Sequence, residues 1–440
     1  MHAALRPAMD YTEASAWFLD PGRLGSKPGL EVVSALLERL GSPETRFRSV
    51  HVTGTNGKGS TSAMIAGILR AAGYRAGLFT SPHLSTWRES IVVDGEKINP
   101  DDAAALMGRI RVECEETAKE PGLRHPTQFE TLTAAAFQHF AERGVDFAVI
   151  EVGMGGRLDA TNVISPEVAV VTNVSLEHTA WLGDTVLKIA REKSGIIKPG
   201  CSVVTATTND EVYNLLRERS REEGAALIRV GAEVAYAAQE SSIDGQTFRV
   251  DGGLATYNLS TRLLGEYQVV NGATAVAVAE ALIARGFNVP RRAILKGIRD
   301  ATWPGRLEVV QKNPLVLLDG AKDAEAARAL RRSINNLPRR RLIAVIAISG
   351  DKDIPAMVRE IAGAADHVIA TSHRVRSRAA DPSIIAGEAA KLGKPSEVQP
   401  DVASAVRRAL EIAEPADAVL VAGSVFLVGE ARELWHPPEP

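Results

Sequence analysis

Short runs of apolar and β-branched residues recur along the chain, each ended by a turn and followed by apolar residues three and four apart. The first is Ser49-Val50-His51-Val52. Glycines then break the chain, and Met64, Ile65, Ile68 and Leu69 mark one face of a helix over residues 60–72. Ala76-Gly77-Leu78-Phe79 begins the next strand. Phe147-Ala148-Val149-Ile150 and Val168-Ala169-Val170-Val171 are continuous apolar runs, as strands buried on both faces require. The spacing predicts helices over 131–143 and 184–194. Strand and helix alternating in this way predict an α/β fold, a parallel sheet with helices on both sides.

Residues 231–262 change character, alternating polar and β-prone positions, and predict a small antiparallel insertion. A long helix is expected over 267–285, then a linker near Trp303-Pro304-Gly305-Arg306. Beyond it the α/β rhythm restarts, with buried strands at 315–318, 342–346, 367–370 and 419–422. The expected division is residues 1–300 and a smaller α/β domain, 301–440, ending in a frayed Pro-rich tail at 437–440.

Composition excludes several classes. The chain has 440 residues with 51 Lys+Arg against 54 Asp+Glu, a net charge of −3. Such a balance argues against holding nucleic acid or an anionic membrane by bulk charge. The clusters Arg328-Ala329-Leu330-Arg331-Arg332 and Arg339-Arg340-Arg341 read as solvated surfaces. Hydrophobic residues at 45% and charged ones at 24% are a globular balance, and 5% aromatics favour helices on sheets over a β-sandwich. Two cysteines, Cys114 and Cys201, cannot staple a chain of this size or build a Cys-rich zinc site. No apolar run approaches the ~20 residues of a membrane span, and residues 1–10 lack a signal-peptide core. A soluble, cytoplasmic protein is expected.

The candidate chemistry gathers where predicted strands end. Gly54-Thr55-Asn56-Gly57-Lys58-Gly59-Ser60-Thr61 lies between a strand and a helix. Glycines there let backbone N–H groups close round phosphate oxygens, the helix N-terminus adds its dipole, and Lys58 adds a point charge. The spacing departs from G-x-x-x-x-G-K-[ST]. Ser81-Pro82-His83-Leu84 follows the next strand, and by itself is a proline turn. Glu151 opens a glycine loop at another strand end, where a carboxylate suits Mg²⁺. Glu177 and His178 follow a fourth strand. Lys193 taken alone reads as a solvated helix-end cation.

Together, 54–61, Ser81 to Leu84, 151–162, His178 with Leu182-Gly183-Asp184, and Glu192-Lys193-Ser194-Gly195 resemble the folylpolyglutamate synthase/dihydrofolate synthase family, which is related to the Mur ligases. Gln268, Asn271, Trp303 to Arg306, Asp351-Lys352-Asp353 and Gly423-Ser424 extend the likeness over about residues 30–434. The resemblance implies a P-loop-containing ATPase domain and a Rossmann-like glutamate-ligase domain. It implies that Gly54, Thr55, Asn56, Gly57, Lys58, Gly59 and Ser60 bind ATP, Gly57 to Ser60 at its phosphates, and that Asn271, Arg306 and Asp319 also reach ATP. Ser81, Glu151 and His178 would hold one or two Mg²⁺ ions, with Lys193 a candidate for carbamylation; Lys58, Glu151, His178 and Lys193 form the catalytic set. Phe129, Glu130, Leu158, Asp159 and Ala160 would line a pterin pocket. The implied activity, within folate biosynthesis and one-carbon metabolism, joins L-glutamate to a pterin-linked carboxylate through an acyl phosphate. It would make dihydrofolate, extend polyglutamate tails, or both, as a monomer with no nucleic-acid or membrane partner.

Three departures stand out. The family's Asp-Gly-Ala-His-Asn-Pro is here Asp319-Gly320-Ala321-Lys322-Asp323-Ala324. Glu-Arg-Ile is Glu89-Ser90-Ile91, losing an Arg; the adjacent Arg88 would point elsewhere if this stretch were a strand. The Asp before the metal His is Glu177. Rival readings are a ligase for a modified pterin, a Mur-type ligase of another acid, and a nucleotide-binding homologue without catalysis. The 53 residues before Gly54 are too few for the UDP-binding domain of a Mur enzyme plus the first strand.

Overall fold

A computed structural model of the chain describes residues 9–20, 22, 25 and 27–437. Positions 438–440 of the expected tail, and 1–8 of the N-terminus, lie outside them. Strands Arg48–Thr53 (β1), Ala76–Phe79 (β2), Ile91–Val93 (β3), Glu96–Lys97 (β4), Phe147–Glu151 (β5), Val168–Val171 (β6), Ser202–Thr205 (β7) and Ala226–Arg229 (β8) make one sheet, ordered β4-β3-β2-β5-β1-β6-β7-β8. From β2 to β8 all neighbours are parallel. β3 and β4 add an antiparallel edge that the parallel reading lacked, turned at Asp94-Gly95, both with positive φ.

Successive residues of the central strands serve opposite faces. Phe147 and Val149 pack with Val50, Val52, Met64 and Ile68 and with helices Glu266–Ala284 and Arg291–Asp300. Ala148 and Ile150 pack with helices Glu31–Arg39, Pro100–Thr117 and Gln128–Glu142. The last of these starts three residues before the predicted 131, because Thr127 and Glu130 form a capping box. A further layer, Val186–Ser194 and Asp210–Glu222, covers β6 and β7.

Strands Ala235–Ser242 (β9), Gly245–Asp251 (β10) and Thr256–Thr261 (β11) form the expected antiparallel insertion. Its inner residues Phe248, Val250, Tyr257 and Leu259 join the core under helix Glu266–Ala284. That helix is long and apolar enough to cross a membrane, against the expectation of no such run, yet 78% of its apolar window is buried. Surrounded by sheet and helices, it needs no polar face.

The C-terminal domain is a six-stranded sheet: Glu308–Lys312 (β12), Leu315–Asp319 (β13), Leu342–Ile346 (β14), His367–Ala370 (β15), Ser396–Val398 (β16) and Ala418–Ala422 (β17), ordered β12-β13-β17-β14-β15-β16. Only β12 runs antiparallel. The basic clusters are paired rather than merely solvated: Arg328 and Arg331 reach Glu360, and Arg340 and Arg341 reach the buried Asp417.

Candidate active site

The carboxyl ends of β1, β2, β5 and β6 face those of β13, β14 and β17 across one cavity of about 1060 Å³. Open α/β sheets bind ligands at such ends, where neighbouring loops diverge.

The glycine loop after β1 forms one wall. Gly54 has φ 145° and Gly57 φ 83°, conformations that side chains rarely adopt. A Cβ on Gly54 would collide with the Thr172 hydroxyl, and one on Gly57 would stand 2.5 Å from Asn271 Oδ1. The loop is tied to the segment after β6: Asn56 N–H donates to Asn173 Oδ1 at 2.8 Å, and Thr172 Oγ1 donates to the Asn56 carbonyl at 2.7 Å. Lys58 is the first residue of helix Lys58–Ala71. Its Nζ folds back onto the carbonyls of Gly54 and Thr55, at 3.0 and 3.3 Å. Gln268 donates to Ser60 Oγ at 3.2 Å and accepts from Asn271 Nδ2 at 2.9 Å, so the long helix braces the loop.

Ser81, Glu151 and His178, from three different strand ends, all line this cavity. Glu151 is buried, and its carboxylate accepts one hydrogen bond among the described residues, from Ser81 N–H at 3.4 Å. Burial holds its pKa above the ordinary carboxylate value, against the pull of Lys58. A buried, under-partnered carboxylate beside a phosphate-type loop fits a divalent cation, which would supply the missing charge. Burial also lowers the His178 pKa to about 4, leaving a neutral imidazole whose lone pair is free to ligate. Among the described residues no three His, Cys, Asp or Glu side chains close a complete protein cage. A cation bound there would take its remaining ligands from water or phosphate, as Mg²⁺ commonly does.

Lys193 is not the solvated cation that its sequence position suggested. It lies behind the loop with a side chain 1% exposed, donating to the Gly54 carbonyl at 2.9 Å and Glu177 Oε1 at 2.7 Å. Burial lowers its pKa to about 8, only partly offset by Glu177. Glu177 itself is brought down to about 2: burial raises it, but Lys58, Lys193 and Lys322 together outweigh burial. Lys193 and Gly54 do not reach the cavity wall; the other residues expected at the site do.

Several of those have their oxygens committed to the fold. Asp319 accepts from Tyr267 Oη at 2.9 Å and from the N–H groups of Leu307 and Ala321, both at 2.8 Å. Arg306 donates to its neighbour's carbonyl, Gly305, at 2.9 Å. Glu130 takes a forked pair of bonds from Arg124 (2.7 and 2.9 Å) and caps its own helix. Phe129 rests 5.9 Å from the Phe79 ring and against Gly153, where any Cβ would strike it. Asp159, beside Leu158 and Ala160, accepts from Met154 N–H at 2.8 Å and Thr161 Oγ1 at 2.6 Å. Since that hydroxyl spends its proton on Asp159, it must accept from His51 Nε2–H, 2.8 Å away. This buried relay had no periodic or motif signal in the sequence.

The departures have structural outcomes. Residues 87–90 form a 3₁₀ turn, and strand β3 begins only at Ile91. Glu89 there accepts from Leu84, Ser85 and Thr86 N–H groups, and Arg88 is buried, donating to the Ile98 carbonyl at 3.1 Å. Lys322 lines the cavity.

Residues 52–279 match the Mur ligase middle domain and residues 305–425 the Mur ligase glutamate ligase domain. The dihydrofolate synthase/folylpolyglutamate synthase of Mycobacterium tuberculosis is 34% identical, the match covering 93% of this chain and 90% of that protein. The chain belongs to the folylpolyglutamate synthase/dihydrofolate synthase family. A solved family member, the Mycobacterium tuberculosis folylpolyglutamate synthase complexed with ADP, superposes with a TM-score of 0.91 at 32% identity, over 98% of this chain and 100% of that one. A probable bifunctional folylpolyglutamate synthase/dihydropteroate synthase of Haloferax volcanii is 37% identical over 97% of this chain, which spans about half (51%) of that relative's length. The Mycobacterium tuberculosis folylpolyglutamate synthase has also been solved complexed with ADP and AMPPCP, with a TM-score of 0.90.

Proposed function

We propose that this chain joins L-glutamate to a pterin-linked carboxylate at the expense of ATP, making dihydrofolate, extending a polyglutamate tail, or both. The observation that carries the reading is the meeting of Lys58, Glu151 and His178, from separate strand ends, in one cavity that also reaches Phe129 and Asp159. ADP in the solved relative and the folate names of the curated ones support it.

A carboxylate resists attack by an amine, so the acid must first be activated. The bond from the γ-phosphorus to the β–γ bridging oxygen breaks as one forms to a carboxylate oxygen, giving ADP and an acyl phosphate. Glutamate, its amine having lost a proton to solvent, attacks the acyl carbon; the tetrahedral adduct collapses and phosphate leaves. The amides of residues 57–60 and the Lys58 ammonium hold the nucleotide's phosphates while charge shifts among them. Mg²⁺ held by Ser81, Glu151 and His178 would neutralise phosphate charge. Phe129, Leu158 and Ala160 offer an apolar wall to a pterin ring, and the buried Asp159 a polar edge. Asn271 and Arg306 flank the nucleotide. The C-terminal domain, 301–440, completes the cavity and keeps water from the acyl phosphate. Every residue assigned here belongs to one chain, so the proposed site needs no second copy to complete it.

The test is ADP release and product mass with dihydropteroate or tetrahydrofolate plus glutamate. Turnover should require an acid, and Lys58→Ala should lower it by about 100-fold or more. Release of ADP independent of both acids would remove the assignment.

A further inference from the structure

We propose that Lys322 is a catalytic residue, an ammonium brought from the C-terminal domain onto the terminal phosphate of the nucleotide, beside Lys58. The inference rests on the nucleotide reading of the cavity and not on which acid is ligated.

Placement comes first. Lys322 lies in the loop that follows β13 and lines the same cavity as Gly57, Lys58 and Ser60 of the other domain. Its neighbour Asp323 accepts from Asn56 Nδ2 at 3.3 Å, so the two loops are fastened one residue away on the lysine's side. Protein surrounds the Lys322 side chain, yet 35% of its surface is still reachable, from the cavity.

Charge supplies the second argument. The carboxylate beside Lys322 is Glu177, with Oε2 at 3.7 Å, while Oε1 of the same group is held at 2.7 Å by Lys193. Lys58 touches carbonyl oxygens and, among the described residues, no carboxylate within ion-pair distance. Lys193 and Lys322 thus share Glu177, while Asp323 and Glu151 are the other carboxylates whose fields reach these lysines. Lys58 and Lys193 both meet the Gly54 carbonyl, at 3.0 and 2.9 Å, and Lys193 and Lys322 both face Glu177, so the three ammonium groups gather at one corner of the site. Burial and then Lys58 lower the proton affinity of Lys322, while Glu177 and Asp323 raise it. Like charges held together at a cavity wall call for an anion between them.

The terminal phosphate is the group that fits. Glycine-loop amides cradle the inner phosphates, and the loop lysine reaches the outer ones. A second cation on the same side meets the γ-phosphoryl group, where it would stabilise the charge on the equatorial oxygens as the bond to ADP breaks and the bond to the acid forms. Glu177 then holds Lys322 in position before the nucleotide arrives.

Calorimetric binding of ADP and of a β,γ-methylene ATP analogue to the full chain, with Mg²⁺, tests this. Lys322→Met should weaken the analogue by about tenfold or more and leave ADP within about twofold, as expected for one lost charge-assisted hydrogen bond. Lys322→Gln, which keeps a polar head, is read in the same way where Lys322→Met does not fold. Equal weakening of both nucleotides, or of neither, overturns the proposal. Selective loss of the analogue supports it even where no pterin acid is turned over, an outcome that would remove only the substrate assignment.

Discussion

Lys193 donates to Glu177 across 2.7 Å, with the lysine side chain 1% and the glutamate side chain 7% exposed. The pair lies directly behind the glycine loop, whose Gly54 carbonyl is the lysine's other acceptor. A buried pair is a weak net stabiliser, but half of one is expensive. Glu177→Ala should therefore destabilise the protein by about 3–5 kcal/mol in urea titrations. Glu177→Leu combined with Lys193→Met should recover most of that loss. Equal destabilisation by the single and double changes would mean that the pair does not anchor the loop.

The buried strands were legible because a parallel sheet covered on both faces must be apolar at every position, as 147–150 and 168–171 are. The short antiparallel edge was not read, although Asp94-Gly95 carried its turn signal: two flanking runs of three and two residues are too brief for periodicity to show. At the site, the glycine loop could be read from its glycines, Lys58 and hydroxyls between a strand and a helix, although its spacing is not the usual one. Lys193 could not, since nothing in a helix-end Arg-Glu-Lys reveals that Glu177, 16 residues earlier, will fold back onto it. His51 likewise sits in an apolar strand with its partner Thr161 110 residues away.

Helices Lys58–Ala71 and Arg291–Asp300 touch through glycines. A Cβ on Gly67 would stand 2.7 Å from the Gly297 carbonyl oxygen, and one on Gly297 would strike the backbone of Ile68. Backbone cannot step aside as a flexible side chain can. Gly297→Ala should therefore cost about 1–3 kcal/mol and lower the melting temperature. Gly387, within helix Pro382–Lys391, has nothing within 4 Å of its would-be Cβ. Gly387→Ala should stabilise by about 0.5–1 kcal/mol. The two substitutions are chemically the same, so opposite shifts isolate the helix contact as the cause.

His51 is fully buried, with its pKa lowered from 6.5 to about 3 by burial first and by Lys198 second. The native protein therefore keeps the ring neutral where the unfolded chain protonates it. Stability linked to this group is complete above about pH 6.5 and falls as pH drops toward 3, because the unfolded state binds the extra proton. The slope is about 1.4 kcal/mol per pH unit, or roughly 2 kcal/mol lost by pH 5. His51→Gln should remove that part of the acid dependence in paired urea titrations at pH 7.5 and 5, since every other titrating group is common to both proteins. An unchanged slope would place the proton elsewhere.

Glu151 sets stability against chemistry. Its carboxylate is buried with one long hydrogen bond, from Ser81 N–H at 3.4 Å, and burial raises its pKa despite Lys58 nearby. A charge kept there without a full set of partners lowers the stability of the ligand-free protein. Glu151→Gln keeps the shape and removes the charge, so without ligands the variant should melt at the same temperature as the wild type or higher. Turnover should fall by about 100-fold or more, as befits loss of a group that holds charge opposite the phosphates. Added Mg²⁺ with the ATP analogue should raise the wild-type melting temperature well above that of the variant, since binding to the native state alone stabilises it. A variant that melts lower without ligands, and gains as much from Mg²⁺ and nucleotide as the wild type does, would make Glu151 a structural residue and leave the cation to other oxygens.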